Sequence, residues 1–141
     1  MVLNNRKYFL AGVVLLPALI LLMAKFYAKS YLLQFSLHHI TVTQLLLLIL
    51  ISPIVEEIVF RGLAQDFLLK IIKNKYISFT LVNLTFTLFH LHKHLGFIYL
   101  LFVFSCGIIL SIVKYQFKYL TYPISLHLYY NLLFVVFTLG D

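Results

Sequence analysis

Acidic side chains are nearly missing from this 141-residue chain: Glu56, Glu57, Asp66 and Asp141 are the whole set. Cysteine is reduced to Cys106, which excludes an intramolecular disulfide, a cysteine-based metal site and a redox pair. In its apolar surroundings that thiol reads as a small packed hydrophobe. Charged residues of either sign make up only 11% of the chain against 63% hydrophobic, with a mean hydropathy of +1.04. So little polar surface cannot cover a soluble fold of this size, and the composition is that of an integral membrane protein. Internal repeats, linkers and a lipidation box are absent as well. The net charge of +7 is spread over the ends of apolar runs, which suits headgroups and cytoplasm better than nucleic acid.

What is present is a series of apolar stretches. The pattern predicts an all-α, polytopic transmembrane helix bundle of about five spans, in one domain over residues 1–141. A first span is expected over 8–26, uncleaved, because the run is long for a signal core and has no clear small-x-small site. The rest, about 41–139, bears the motifs. A second helix starts near Thr41 and its helical pattern continues to about Lys70, long and broken. Further spans are expected over 77–91, 96–113 and 120–139. Arg6, Lys7, Lys70, Lys73, Lys75, Lys114 and Lys118 fall on one side, against Lys25, Lys29 and Lys93 on the other. That asymmetry predicts a cell-membrane protein with a cytoplasmic N-terminus and an outside C-terminus.

Against this background the adjacent Glu56 and Glu57 are costly. One ionised side chain at the centre of a bilayer helix costs roughly 2.5–3.5 kcal/mol. Arg61 follows one turn after Glu57, and two further polar pairs stand in apolar helices: Phe86-x-x-x-His90 and His127-x-x-x-Asn131. Depth decides whether they meet. Glu56 lies fourteen residues from Lys70 and His90 fifteen from Lys75, or ~21 and ~22 Å along a helix. His127 and Asn131 lie nine and thirteen residues from Lys118, ~14 and ~20 Å. All fall in one layer only if the second helix continues to about Lys70.

Helix phase separates the two carboxylates. Glu57 and Arg61, at i and i+4, share a face and can pair, while Glu56 points about 100° away, toward another helix. A carboxylate beside a histidine can take a proton from water, and His127 with Asn131 could offer two donors to an oxyanion. These are the parts of acyl hydrolysis by an activated water.

The ordered set Glu-Glu-x-x-x-Arg, Phe-x-x-x-His, His-x-x-x-Asn over residues 56–131 resembles the CAAX protease and bacteriocin-processing family, also called CPBP or Abi. These are glutamate-dependent intramembrane endopeptidases. Phe104, Gly107 and Ser111 loosely match a further aromatic-glycine-small motif of that family. The resemblance implies Glu56 as general base aided by His90, Glu57 and Arg61 as the residues that shape and charge the site, and His127 with Asn131 as oxyanion donors. It implies no metal and no cofactor. The short format departs from the eukaryotic prenyl-protein proteases and points to peptides or small proteins with a leader or C-terminal sorting tail as substrates.

Three other readings fit some of the same residues. His90-x-x-x-His94 puts two imidazoles on one helical face, with His92 between them and Glu56 as a third ligand of a metalloprotease site, although His-Glu-x-x-His is absent. A non-catalytic immunity or partner-binding membrane protein would use the polar cluster only to hold helices together. A small proton-coupled transporter would also bury Glu and His, but lacks the expected repeats.

Overall fold

The computed structural model describes residues 11–15, 17–19, 41–91 and 96–139, without the side chains at 96, 98 and 137–139. The expected first span is seen in part, and 11–15 and 17–19 are helical. Arg6, Lys7, Lys25, Lys29, His38, His39, His92, Lys93 and His94 lie outside the described residues. No strand occurs among the described residues.

Helix α1 runs over Val42–Ile71. It starts at a reciprocal cap: Thr41 Oγ1 accepts from Gln44 N–H at 3.2 Å, and Gln44 Oε1 accepts from Thr41 N–H at 2.9 Å. Two widened π stretches, Leu47–Ile51 and Ile58–Ala64, flank the α-helical turn Ser52–Glu57. The helix therefore continues to the lysines, as the depth argument requires, and its break takes the form of π turns rather than a gap. Ile72 then turns extended, and Asn74 caps α2, Lys75–Leu88, by accepting from Tyr76 N–H at 2.9 Å.

Helix α3, Gly96–Phe117, ends where Lys118 takes a left-handed φ of 67° and donates its N–H to Lys114 O at 2.9 Å. Helix α4, Thr121–Leu139, carries Pro123 in its first turn, where no intrahelical N–H is lost. Helix α2 packs on α3, α3 on α4, and the middle of α1 on α4. The N-terminal helical residues are tied to α4 by Tyr130 Oη, which donates to Val13 O at 2.9 Å.

The expected third span differs at its end. Helix α2 stops at Leu88, so His90 sits in a turn just beyond it rather than inside a span reaching Leu91. The cause is local. His90 N–H bonds Thr87 O at 2.9 Å, and the imidazole Nδ1 takes the Phe86 carbonyl that the backbone would otherwise use, also at 2.9 Å.

Beside an ordinary apolar core, the burial of polar groups departs from that of a water-soluble protein. Glu57, Arg61, Gln65, Asn83 and Ser111 are fully buried, whereas Leu46, Leu50, Val55, Val59, Leu63 and Phe67 of α1 face outward. Helix α1 and the segment Tyr99–Phe117 are each long and apolar enough to cross a membrane. Lipid is the solvent in which this arrangement is favourable, since polar groups that hydrocarbon would reject are collected between the helices.

Candidate active site

The turn Ser52–Glu57, held between the two π stretches, carries both glutamates. Glu57 is fully buried; its Oε1 accepts from His127 Nδ1 at 2.8 Å and forms an ion pair with Arg61 Nη1 at 3.2 Å. The pairing of Glu57 with Arg61 is the one helix phase implies. His127 arrives from α4, so this carboxylate oxygen joins two helices. Arg61 lies over the Phe86 ring, 4.4 Å from its centroid, and its Nη2 donates to Asn83 Oδ1 at 3.1 Å and Gly107 O at 3.2 Å.

Glu56 turns to a different neighbourhood. Its Oε1 accepts from Ser52 Oγ at 2.5 Å, one turn earlier. Its buried Oε2 has no hydrogen-bond partner but stands 3.9 Å from His90 Nε2 and 3.8 Å from His127 Nε2. These atoms open on a cavity of about 410 Å³ among all four helices α1 to α4, walled by Phe86, Tyr99, Phe102, Val103, Cys106 and Phe134. Cys106 is buried there, as its apolar context suggests.

Hydrogen bonding fixes both tautomers. His90 Nδ1 faces the Phe86 carbonyl and His127 Nδ1 faces the Glu57 carboxylate, both pure acceptors, so each Nδ1 carries a proton and donates. Each ring turns its Nε2 toward Glu56 Oε2. Glu56 Oε2 and the two imidazole Nε2 atoms are thus gathered at the cavity wall.

Asn131 lines the same cavity, and its Nδ2 donates to Leu48 O at 2.9 Å. That carbonyl is available for a reason in the chain. In the first π stretch Ser52 N–H bonds Leu47 O, and the next residue, Pro53, has no N–H to give. Leu48 O thus loses its α-helical donor and its π-helical donor in succession, and α4 supplies one.

Glu56, Glu57, Arg61, His90 and His127 are brought into one connected cluster, with Asn131 on the same cavity. His94 lies outside the described residues, and among the described residues no group of three His, Cys, Asp or Glu is arranged to hold a metal ion. The sequence reading did not single out Ser52's bond, Gln65 or Asn83. Gln65 Nε2 donates to Ser111 O at 3.0 Å, and Asn83 Nδ2 donates to Ser111 Oγ at 2.9 Å. Their signal was helical spacing: Glu57, Arg61 and Gln65 recur every four residues, and Asn83 precedes Phe86 by three and His90 by seven. A second ion pair, Lys114 Nζ on both Asp66 carboxylate oxygens at 3.1 Å, ties the lysine-rich end of α1 to α3.

The fold and site define a class: an all-helical membrane protein whose buried carboxylate–imidazole–guanidinium cluster faces an internal cavity. The family model "Type II CAAX prenyl endopeptidase Rce1-like" matches residues 38–133, which covers every residue of that cluster. The chain belongs to the Rce1-like family, a family of membrane-associated CAAX proteases, and is a hydrolase of the peptidase type. No curated protein and no solved structure matches it.

Proposed function

We propose that this protein is a glutamate-dependent, metal-independent intramembrane endopeptidase. It hydrolyses a peptide bond in a peptide or small protein bearing a leader or C-terminal sorting tail. The observation that supports this most is the convergence of Glu56 Oε2 with the Nε2 atoms of His90 and His127, 3.9 and 3.8 Å away, at the wall of an apolar cavity. With His127 neutral, Glu56 Oε2 and His127 Nε2 are two neighbouring acceptors that a donor with two hydrogens would bridge, and water is the donor that peptide hydrolysis consumes.

In this reading the water donates to Glu56 Oε2 and to one imidazole, which turns its oxygen lone pair toward a substrate carbonyl in the cavity. Glu56 takes the water's proton as the new C–O bond forms. Asn131, which keeps a second Nδ2–H beyond the one on Leu48 O, donates to the oxyanion. His127, whose Nδ1–H stays on the Glu57 carboxylate, keeps its Nε2 as acceptor for the hydrogen left on the attacking oxygen. Collapse breaks the C–N bond, and the proton held by Glu56 passes to the leaving amine. Arg61 balances the charge of Glu57, so that only Glu56 acts as the base.

The protein is proposed as a single domain over residues 1–141 in the cell membrane. The lysine and arginine asymmetry supports a cytoplasmic N-terminus and an outside C-terminus. The test is cleavage of a peptide library by protein reconstituted in liposomes, read by mass spectrometry. Glu56→Gln should fold normally and lose on the order of 10²–10⁴ in rate. Cleavage that survives this change removes Glu56 as the base. A variant that fails to accumulate as folded protein would instead assign the cluster to holding helices together.

A further inference from the structure

Asn83 lies outside the cavity, fully buried between α1, α2 and α3. Its Nδ2 donates to Phe79 O at 2.7 Å and to Ser111 Oγ at 2.9 Å, which leaves the amide no rotational freedom. Its Oδ1 is thereby aimed at Arg61 Nη2, 3.1 Å away, and Gly107 O takes the same nitrogen at 3.2 Å. A guanidinium is planar and rigid. Two acceptors on Nη2 therefore fix the direction of Nη1, which meets Glu57 Oε1 at 3.2 Å. That oxygen also receives His127 Nδ1–H at 2.8 Å, and the same ring turns Nε2 toward Glu56 Oε2.

We propose that Asn83 is a positioning residue for the His127–Glu56 pair, acting through Arg61 and Glu57. The proposal rests on reading Glu56 and His127 as the reacting groups. The chemistry explains why an amide stands here. A neutral acceptor holds Nη2 without competing for the guanidinium charge, so that charge stays with Glu57. A carboxylate at the same position would share Arg61 with Glu57 and would face the Phe79 carbonyl with an acceptor instead of a donor. Close packing reinforces the arrangement, because a Cβ added at Gly107 would run into Asn83 Oδ1.

The experiment uses the full chain in lipid nanodiscs, with ¹⁵N-labelled histidine and the His127 signals assigned through His127→Gln. In the parent protein His127 should show a protonated, hydrogen-bonded Nδ1 and a bare Nε2. Asn83→Leu, close in size but without donor or acceptor, should mix the His127 tautomers. It should also lower kcat on the order of 10²-fold, as misplacement from a distance can, with KM unchanged because Asn83 does not touch the cavity. In an Arg61→Lys background, which already lacks the fork, Asn83→Leu should cost no further rate. If Asn83→Leu does not yield folded protein, Asn83→Ser carries the same measurements, since its hydroxyl can still donate to the Phe79 carbonyl.

An unchanged His127 signal overturns the proposal, as do losses that multiply in the double variant. The tautomer measurement needs no activity. If Glu56→Gln keeps its activity while Asn83→Leu still mixes the tautomers, the hydrolytic reading fails and the coupling of Asn83 to His127 stands.

Discussion

His127 Nδ1 donates to Glu57 Oε1 at 2.8 Å, across a sequence separation of 70 residues, and this bond decides which imidazole nitrogen is left facing Glu56. The two adjacent glutamates therefore have unequal surroundings. Glu57 is enclosed by a guanidinium and an imidazole, with no exposed surface, while the Glu56 side chain keeps 23% of its surface open. The difference follows from helix phase in α1 combined with the approach of α4.

Glu57→Gln should damage the fold more than Glu56→Gln. It removes the anionic partner of Arg61, whose guanidinium is fully buried, and breaking such a pair on one side costs about 3–5 kcal/mol. Thermal unfolding in detergent should give a much lower Tm for Glu57→Gln, with Glu56→Gln near the parent. Adding Arg61→Met to Glu57→Gln should restore much of the stability, because the orphaned charge is then gone, without restoring cleavage. Equal Tm values for the two single variants would remove the distinction.

Gly107→Ala and Gly62→Ala should separate clearly. A methyl at Gly107 collides with Asn83 Oδ1 and comes within 3.2 Å of Arg61 Nη2, neither of which can move without giving up a buried hydrogen bond. At Gly62 the tightest contact of a methyl is Leu120 Cδ1 at 3.2 Å, the end of a flexible side chain, and the others are ordinary van der Waals contacts. Overpacking of the first kind costs roughly 1–3 kcal/mol. The gain in helix propensity from Gly to Ala, roughly 0.5–1 kcal/mol, offsets most of the second. Denaturation midpoints and cleavage rates should both fall for Gly107→Ala and stay near the parent for Gly62→Ala.

Activity should withstand prolonged dialysis against EDTA and treatment with 1,10-phenanthroline, and purified protein should contain well under one equivalent of zinc. The carboxylate and imidazoles around the cavity are each oriented by protein partners: Ser52 on Glu56, the Phe86 carbonyl on His90 and Glu57 on His127. Loss of activity on chelation, recovered by added zinc, would return the metalloprotease reading with His90 and His94.

The parts of the site legible in the sequence are those that helix geometry alone fixes. Glu57 with Arg61 is an i, i+4 contact within one helix, and the extension of α1 to Ile71 followed from matching depths. The partner of Glu57 on α4 was not legible, since no local pattern says which face of α4 meets α1. Sequence placed His127 beside Asn131 as a donor pair, but folding gives each its own acceptor, Glu57 Oε1 and Leu48 O. Asn83 was passed over because a single amide in an apolar helix has no meaning until its neighbour is known. The π turns were foreshadowed only by Pro53, whose missing N–H leaves a carbonyl for another helix to satisfy.

That last relationship makes the most specific test. Asn131→Ala leaves the Leu48 carbonyl without a donor, and an unpaired buried group costs about 1–3 kcal/mol. Pro53→Ala returns a backbone N–H in reach of the same carbonyl. If the freed Leu48 O is what recruits Asn131, the two changes must couple. Asn131→Ala should destabilise the parent clearly but cost about 1 kcal/mol less in the Pro53→Ala background, measured as a double-mutant cycle on unfolding free energy. Cleavage should behave differently. Pro53→Ala lets α1 relax toward regular α-helical winding and turns the Ser52–Glu57 segment, so Glu56 leaves its position between His90 and His127 and the rate falls even where stability is regained. Additive stability changes would show that Asn131 and the proline-broken turn act independently.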